Sequence, residues 1–461
     1  MNGAVDLPLG QAELSFTAAG DAVVRRSVLP SGVRVLSEQV PGSRSVTVGF
    51  WVAVGSRDEQ HADGTVPATY GSTHFLEHLL FKGTAERTAL DIAISFDAVG
   101  GEHNALTAKE YTCYYAKVQD RDLPMAVAVL ADMFTSSLLD PVEFDNERGV
   151  ILEELSMAGD DPADVANERF FEAVLGRHPL GRPIGGDPAT IRAATREAVW
   201  AHYRSSYRPQ DLVVTVAGAV DHDVLVGELE RGLTRAGWDL TVESAPVERR
   251  DSAPAVLETG PAVTVVPRPI EQVNLLLGVP GLVATDERRS TMSVLNAAFG
   301  SGMSSRLFQQ VRERRGLAYS VYSFAPAYSD AGLFGMYAGC APAKASTVAA
   351  LMRSELERVA EHGITPDELH RAAGQLGGAS ALALEDSDTR MSRLGRAELT
   401  LGEFIDLDES LRRIALVTAD DVQALAQDLV ARPFSLVAVG ATEESAFNGA
   451  VDRAAPSLGV A

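Results

Sequence analysis

His74 and His78 stand one helical turn apart, with Glu77 beside them, in the run Gly71-Ser-Thr-His-Phe-Leu-Glu-His-Leu-Leu-Phe-Lys-Gly-Thr84. Residues four apart on a helix project from one face. Two imidazoles so placed can grip one Zn²⁺, and the adjacent Glu77 carboxylate can serve as general base toward water. The chain has 9 histidines in 461 residues. At that composition H-x-x-E-H is a rare chance event, about one chain in a hundred. The competing reading is an amphipathic helix whose histidines make ordinary hydrogen bonds at the edge of a core. Phe75, Leu76, Leu79, Leu80 and Phe81 give the helix an apolar surround and predict its burial. Lys82 falls in its predicted last turn and Gly83 at the C′ position. Buried imidazoles and a buried carboxylate need partners, which a metal supplies.

A catalytic zinc takes three protein ligands and keeps one position open. The segment from Asp140 is the best source of the third. Asp140 suits an N-cap, Pro141 suits N1 and Glu143 falls at N3. The helix continues through Glu147-Arg-Gly-Val-Ile-Leu-Glu-Glu-Leu155. Glu147 and Glu154 are seven residues apart and share a face, with Val150 and Ile151 between them predicting that the face is buried. The spacing alone fits two exposed glutamates on a charged helix equally well.

The elements that must position these residues read as a duplication. A polar, proline-bearing stretch, 241–254, divides the chain into segments 20–240 and 255–445. Each holds strand-like runs, then a helix, then further strands and long helical stretches, and each closes on a buried strand. Those closing runs are Asp211–Gly218, preceded by Arg208-Pro209, and Phe434–Gly440, preceded by Arg432-Pro433. The expected architecture is α+β: two duplicated α/β-roll domains, each a mostly antiparallel sheet packed by helices, facing each other across a cleft. Only the first carries H-x-x-E-H, so the second is expected to cover the site or hold substrate.

The length predicts more than one domain. The net charge of −23 argues against nucleic-acid partners and against docking on anionic membranes. Cys113 and Cys340 offer no disulfide framework and fit a reducing compartment. No basic-then-apolar leader opens the sequence, and no apolar run reaches the ~20 residues of a membrane span. A cytoplasmic location is the default expectation.

Taken together, the residues resemble the pitrilysin, insulysin and mitochondrial processing peptidase family of zinc metallopeptidases, whose inverted zinc motif is H-x-x-E-H. In that family a glutamate ligand lies 76 residues beyond the second histidine, which here is Glu154 (154 − 78). An acidic residue seven positions earlier, here Glu147, supports the site. The resemblance extends through Gly55-Ser-Arg-Asp-Glu59, Phe81-Lys-Gly-Thr84, Asn104-Ala105 with Thr107, Tyr114-Tyr115 and Pro179-Leu-Gly-Arg182. In the second half it includes Gly300-Ser-Gly-Met-Ser-Ser-Arg-Leu-Phe308 and Gly316-Leu-Ala-Tyr319. It is closest to the bacterial, processing-peptidase-like branch, whose two-domain subunits pair as dimers.

The resemblance implies a zinc metalloendopeptidase for unstructured peptides or short processed segments. One Zn²⁺ per chain would sit on His74, His78 and Glu154, with Glu77 as base. Arg312 and Tyr319 match a pair that contacts substrate near the scissile bond. A peptide would lie along His103, Asn104 and Ala105 as an added strand. A homodimer is expected. The rival implication is a non-catalytic or partner-dependent subunit of a processing complex, since the family includes members without a zinc site. The connection Gln60–Thr73 is longer than usual for the family, and its extra residues, with His61, Asp63 and Pro67, are expected to form a loop bearing on substrate preference.

Other chemistry fits poorly. Gly300-Ser-Gly302 lacks the third glycine of a dinucleotide loop, since position 305 is serine. No nucleophile elbow of the form G-x-S-x-G occurs there. His178 and His202 read as structural.

Overall fold

The computed structural model describes residues 3–59, 70–447 and 449–451. The 60–69 part of the long connection, with His61, Asp63 and Pro67, lies outside them. The strands are β1 (Ala4–Asp6), β2 (Glu13–Thr17), β3 (Val23–Val28), β4 (Arg34–Gln39), β5 (Ser45–Val52), β6 (Glu102–Thr107), β7 (Thr112–Gln119), β8 (Val213–Gly218), β9 (Val263–Pro267), β10 (Val273–Pro280), β11 (Ala318–Phe324), β12 (Leu333–Cys340), β13 (Glu403–Ile405) and β14 (Ser435–Gly440). They form a seven-stranded sheet, β2-β3-β4-β8-β5-β7-β6, a five-stranded sheet, β11-β12-β10-β14-β9, and a small pair, β1-β13.

The duplication is visible in the strand order. The run β4-β8-β5-β7-β6 and the run β9-β14-β10-β12-β11 are the same five-strand pattern. In each, the first strand is parallel to the closing strand and all other neighbours are antiparallel. The fold is α+β, with helices packed on both sheets. In the first sheet the strand period of two points Val46, Val48, Phe50 and Val52 toward one helical layer and Trp51 toward the opposite face. The first layer includes α1 (Ser72–Leu80) and α3 (Leu123–Ser136); α2 (Ala89–Asp97) lies between them in the chain.

The compact units differ from the contiguous segments 20–240 and 255–445. One comprises residues 1–155, 183–250 and 380–410; the other comprises 156–182, 251–379 and 411–461. Each half of the chain thus gives a helix to the other unit. The helix α5 (Pro162–Leu175), which follows α4 (Pro141–Asp160), packs Phe170 and Val174 against Leu276, Leu333 and Val437 of the five-stranded sheet. Phe170 lies where a β-carbon on Gly278 would sit 2.7 Å from its ring. In the other unit, the helix Ser387–Arg396 sets Met391 and Leu394 against Trp51, Leu36 and Val213. Met391 Sδ stands 2.5 Å from where a β-carbon on Gly49 would lie. Glycine in a strand here marks a helix seated directly on the sheet. Linear pattern cannot reveal this exchange, because each helix has the same apolar stripe whichever sheet it covers.

The segment after that second helix is fixed by charge. Glu398 is fully buried and receives Arg26 at 3.0 Å, Arg34 at 3.4 Å and Arg249 at 3.3 Å. Arg26 also donates to the carbonyl of Gln11, and Arg249 to those of Leu7 and Glu398. Burial lowers the pKa of Arg34 and of Arg249, against the pull of Glu398. The stretch 241–250 is pinned along the same unit: Ser244 N donates to Pro30 O, Val247 N to Gln210 O, and Arg250 to Asp58. Truncating one member of a buried ionic cluster leaves the others uncompensated. Glu398→Ala should cost about 3–5 kcal/mol of stability by denaturant unfolding; a loss under about 1 kcal/mol, the ceiling for a surface pair, would refute the buried cluster's role.

Candidate metal centre

Helix α1 is held from three sides. Phe75, Leu76, Leu79 and Leu80 are fully buried, each worth about 1.5–3 kcal/mol of apolar transfer. Phe75 stacks on Phe144 of α4, with ring centroids 4.4 Å apart. At the N-terminus the cap is Gly71, in the left-handed region at φ 84° and without a side chain to offer. Glu59 supplies the missing acceptor: its two oxygens take the backbone N–H of Gly71 at 2.9 Å and of Thr73 at 2.8 Å. A carboxylate there also answers the helix dipole. The helix ends earlier than its sequence suggests. Phe81 is the C-cap, so Lys82 lies past the last turn, and Gly83 (φ 122°) bridges to Thr88 instead of closing the helix.

The His74 and His78 rings meet edge-on, and their Nε2 atoms lie 3.3 Å apart. Glu154 Oε2 on α4 lies 3.5 Å from His78 Nε2 and 3.8 Å from His74 Nε2. A tetrahedral zinc with arms of about 2.1 Å spaces its donors by about 3.4 Å. Behind His78, its Nδ1 is 2.9 Å from Glu147 Oε2, and the other oxygen of Glu147 is 2.5 Å from Lys82 Nζ. Donation from Nδ1–H to Glu147 leaves the Nε2 lone pair directed at the cluster, the tautomer a metal ligand requires. Burial, then the neighbouring His78, push the His74 pKa down to about 4, so its ring is neutral near pH 7. Among the described residues, His74 Nδ1 is buried with no hydrogen-bond partner. Two ring nitrogens 3.3 Å apart beside a carboxylate form a donor set for a cation. Among the described residues, this trio alone brings three such ligand atoms together.

Glu77 accepts a hydrogen bond from Thr107 Oγ1 of β6. Burial raises the Glu77 pKa, opposed by that bond and by His78. On α4 the buried face is Phe144, Glu147 and Ile151, while Val150 is 44% exposed. At 100° per residue, Val150 turns away from the stripe that Ile151 joins, contrary to the expectation that both are buried. Glu154 is half exposed, so one glutamate of the pair backs His78 from the interior and the other meets solvent at the cluster.

Strand β6 is the edge of its sheet. His103, Asn104 and Ala105 all lie on it. The His103 ring stacks on Phe96 at 4.4 Å, and Asn104 Oδ1 accepts from the Ala105 N–H. In the other unit, the Arg312 guanidinium sits 4.4 Å from the centre of the Tyr319 ring and donates to the Tyr319 carbonyl. His178 accepts from Leu180 N and pairs with Asp330; His202 contacts Thr73 Oγ1 at 3.2 Å. The sequence reading missed the roles of Glu59, Lys82 and Thr107, whose contacts join residues with no shared periodicity.

The family description "Insulinase (Peptidase family M16)" matches residues 34–188, and "Peptidase M16 inactive domain" matches residues 193–376. An "Uncharacterized zinc protease" of Streptomyces coelicolor is 49% identical, covering 91% of this chain and 90% of its own length. The chain belongs to the M16 peptidase family. A protein named in the same way from Bacillus subtilis is 36% identical, covering 90% of this chain and 98% of its own. Among solved structures, a peptidase M16 inactive domain from Pseudomonas fluorescens matches with TM-score 0.79 at 19% identity, covering 94% of this chain and 98% of that one. A protease from Helicobacter pylori matches with TM-score 0.78 at 21% identity, covering 93% and 99%. At those identities the structural matches speak for the fold.

Two expectations follow. Glu147→Gln should weaken Zn²⁺ binding, measured by chelator competition, by about 10–100-fold; unchanged affinity would remove Glu147 from the site. Burial also pushes the His202 pKa down to about 4 from its ordinary 6.5. The unfolded chain therefore takes up this proton first, and metal-free stability is lost as pH falls from about 6.5 toward 4. His202→Gln should flatten that part of the urea-midpoint profile; an unchanged slope would refute it.

Proposed function

We propose that this chain is a zinc-dependent endopeptidase acting on unstructured peptides. The observation that carries the reading is the convergence of His74 Nε2, His78 Nε2 and Glu154 Oε2 beside Glu77, with Glu147 fixing the His78 tautomer. These residues would hold one Zn²⁺ per chain. Zinc supplies Lewis acidity, polarising the scissile carbonyl and easing deprotonation of water. The protein's own contribution is proton handling and placement. Glu77 takes a proton from the attacking water and returns it to the leaving amine. Burial raises its pKa, making it a stronger base than an ordinary carboxylate. The outer edge of β6 offers main-chain hydrogen bonds to a peptide laid alongside it, which favours extended substrates over folded ones. The resemblance further suggests Arg312 and Tyr319 as substrate contacts that stabilise developing charge.

The second reading is a non-catalytic or partner-dependent subunit. The same experiment separates the two. Purified chain loaded with zinc should cleave an unstructured reporter peptide unaided. Glu77→Gln should keep its zinc and lose on the order of 10²–10⁴ in turnover. His78→Ala should lose the metal, and Arg312→Ala should lower turnover at full zinc occupancy. A fully active Glu77→Gln variant would sink the assignment of the base; a zinc-loaded wild type without cleavage would favour the second reading. Solution mass tests the homodimer.

A further inference from the structure

The second unit repeats one contact of the first that involves no metal ligand. In the first unit, Thr107 Oγ1 at the end of edge strand β6 donates to Glu77 on α1. In the second, Ser323 Oγ near the end of edge strand β11 donates to Asn296 Oδ1 at 2.6 Å, on the helix Arg289–Gly300. β6 and β11 hold the same place in the repeated strand order, and the two helices follow the corresponding strands β5 and β10. With the two pairs matched, the places of His74 and His78 fall to Ser293 and Ala297, three before and one after Asn296. The strand-to-helix bond therefore stands in a unit that has no imidazole at either place. It is a tether of the duplicated fold, and in the first unit it ends on the carboxylate beside the metal ligands. Both hydroxyl residues are buried, each at 6% exposure, and both bonds are partly buried; a bond partly withdrawn from water helps hold its partner's orientation.

We propose that Thr107 is a positioning residue that ties the orientation of Glu77 to the strand along which the peptide lies; this rests on the peptidase reading above. Thr107 belongs to both parts. Its backbone is the end of β6, and its hydroxyl holds the base. A peptide that pairs along β6 orders the strand, and the tether passes that order to the carboxylate. Binding to the strand is then expressed in turnover as well as in affinity. Extended peptides long enough to pair along β6 gain kcat over short ones.

The test compares Thr107→Val, Thr107→Ser and Ser323→Ala in the zinc-loaded full chain, with reporter peptides of two lengths. Thr107→Val should keep its zinc and lower kcat on the order of tenfold or more, since small misplacement of a reacting group is costly. It should also erase the kcat advantage of the long peptide. Thr107→Ser should restore both. Ser323→Ala removes the matching tether and should leave kcat unchanged while lowering the melting temperature. A Thr107→Val variant that changes only KM, or that loses no more kcat than Ser323→Ala, overturns the proposal. If the wild type cleaves nothing, the peptidase reading fails on its own. The infrared carboxylate band assigned to Glu77 from the Glu77→Gln difference still decides the tether: it should shift in Thr107→Val and return in Thr107→Ser, and an unmoved band overturns it.

Discussion

Two imidazole nitrogens pointed at each other across 3.3 Å are the constraint around which this protein is arranged. The two ring nitrogens face one another at the mouth of the cluster, beside the Glu154 carboxylate. His78 is held from behind by Glu147, which Lys82 holds in turn. The helix carrying both rings is buried along Phe75, Leu76, Leu79 and Leu80 and pinned at its start by Glu59. The arrangement is rigid and electrostatically unfinished, as a preorganised cation site must be. The rest of the first unit supplies that rigidity.

Periodicity made much of this legible. The turn-long spacing of His74 and His78 placed them on one face. Asp140 and Pro141 announced α4, whose N-terminus is capped by Asp140 as the sequence predicts. The recurrence of strand-like runs in both halves foretold the duplication, which the structure displays as a matched five-strand order. Legibility failed where the deciding contact joins residues far apart in the chain. Nothing local marks Glu59 as the cap of a helix starting at Ser72, or Thr107 as the partner of Glu77. Val150 was misplaced because a seven-residue spacing leaves the width of the buried stripe undefined. The early end of α1 reflects competition: Gly83 is engaged with Thr88 and so does not close the helix.

The duplication also shows what separates scaffold from chemistry. The second unit retains the sheet order, the edge strand, the helix that precedes it and the hydroxyl tether between them. It lacks the imidazoles, and an amide replaces the carboxylate at Asn296. A carboxamide keeps the shape and the acceptor of a glutamate's end but cannot take a proton at neutral pH. The fold tolerates both, so the shared architecture does not by itself fix the chemistry of that helix turn.

The exchange of helices bears on how the protein is made. The sheet beside α1 has its other face covered by Met391 and Leu394, which leave the ribosome only when most of the chain has been synthesised. Until then Trp51, Leu36 and Val213 have no helix over them, and the unit that begins first is finished late. The five-stranded sheet has the opposite order: its cover, α5, is translated before any of its strands. During synthesis the nascent chain thus passes through a stage in which one apolar sheet face waits for a helix and one apolar helix waits for a sheet. In that interval the unpaired apolar faces are open to premature association.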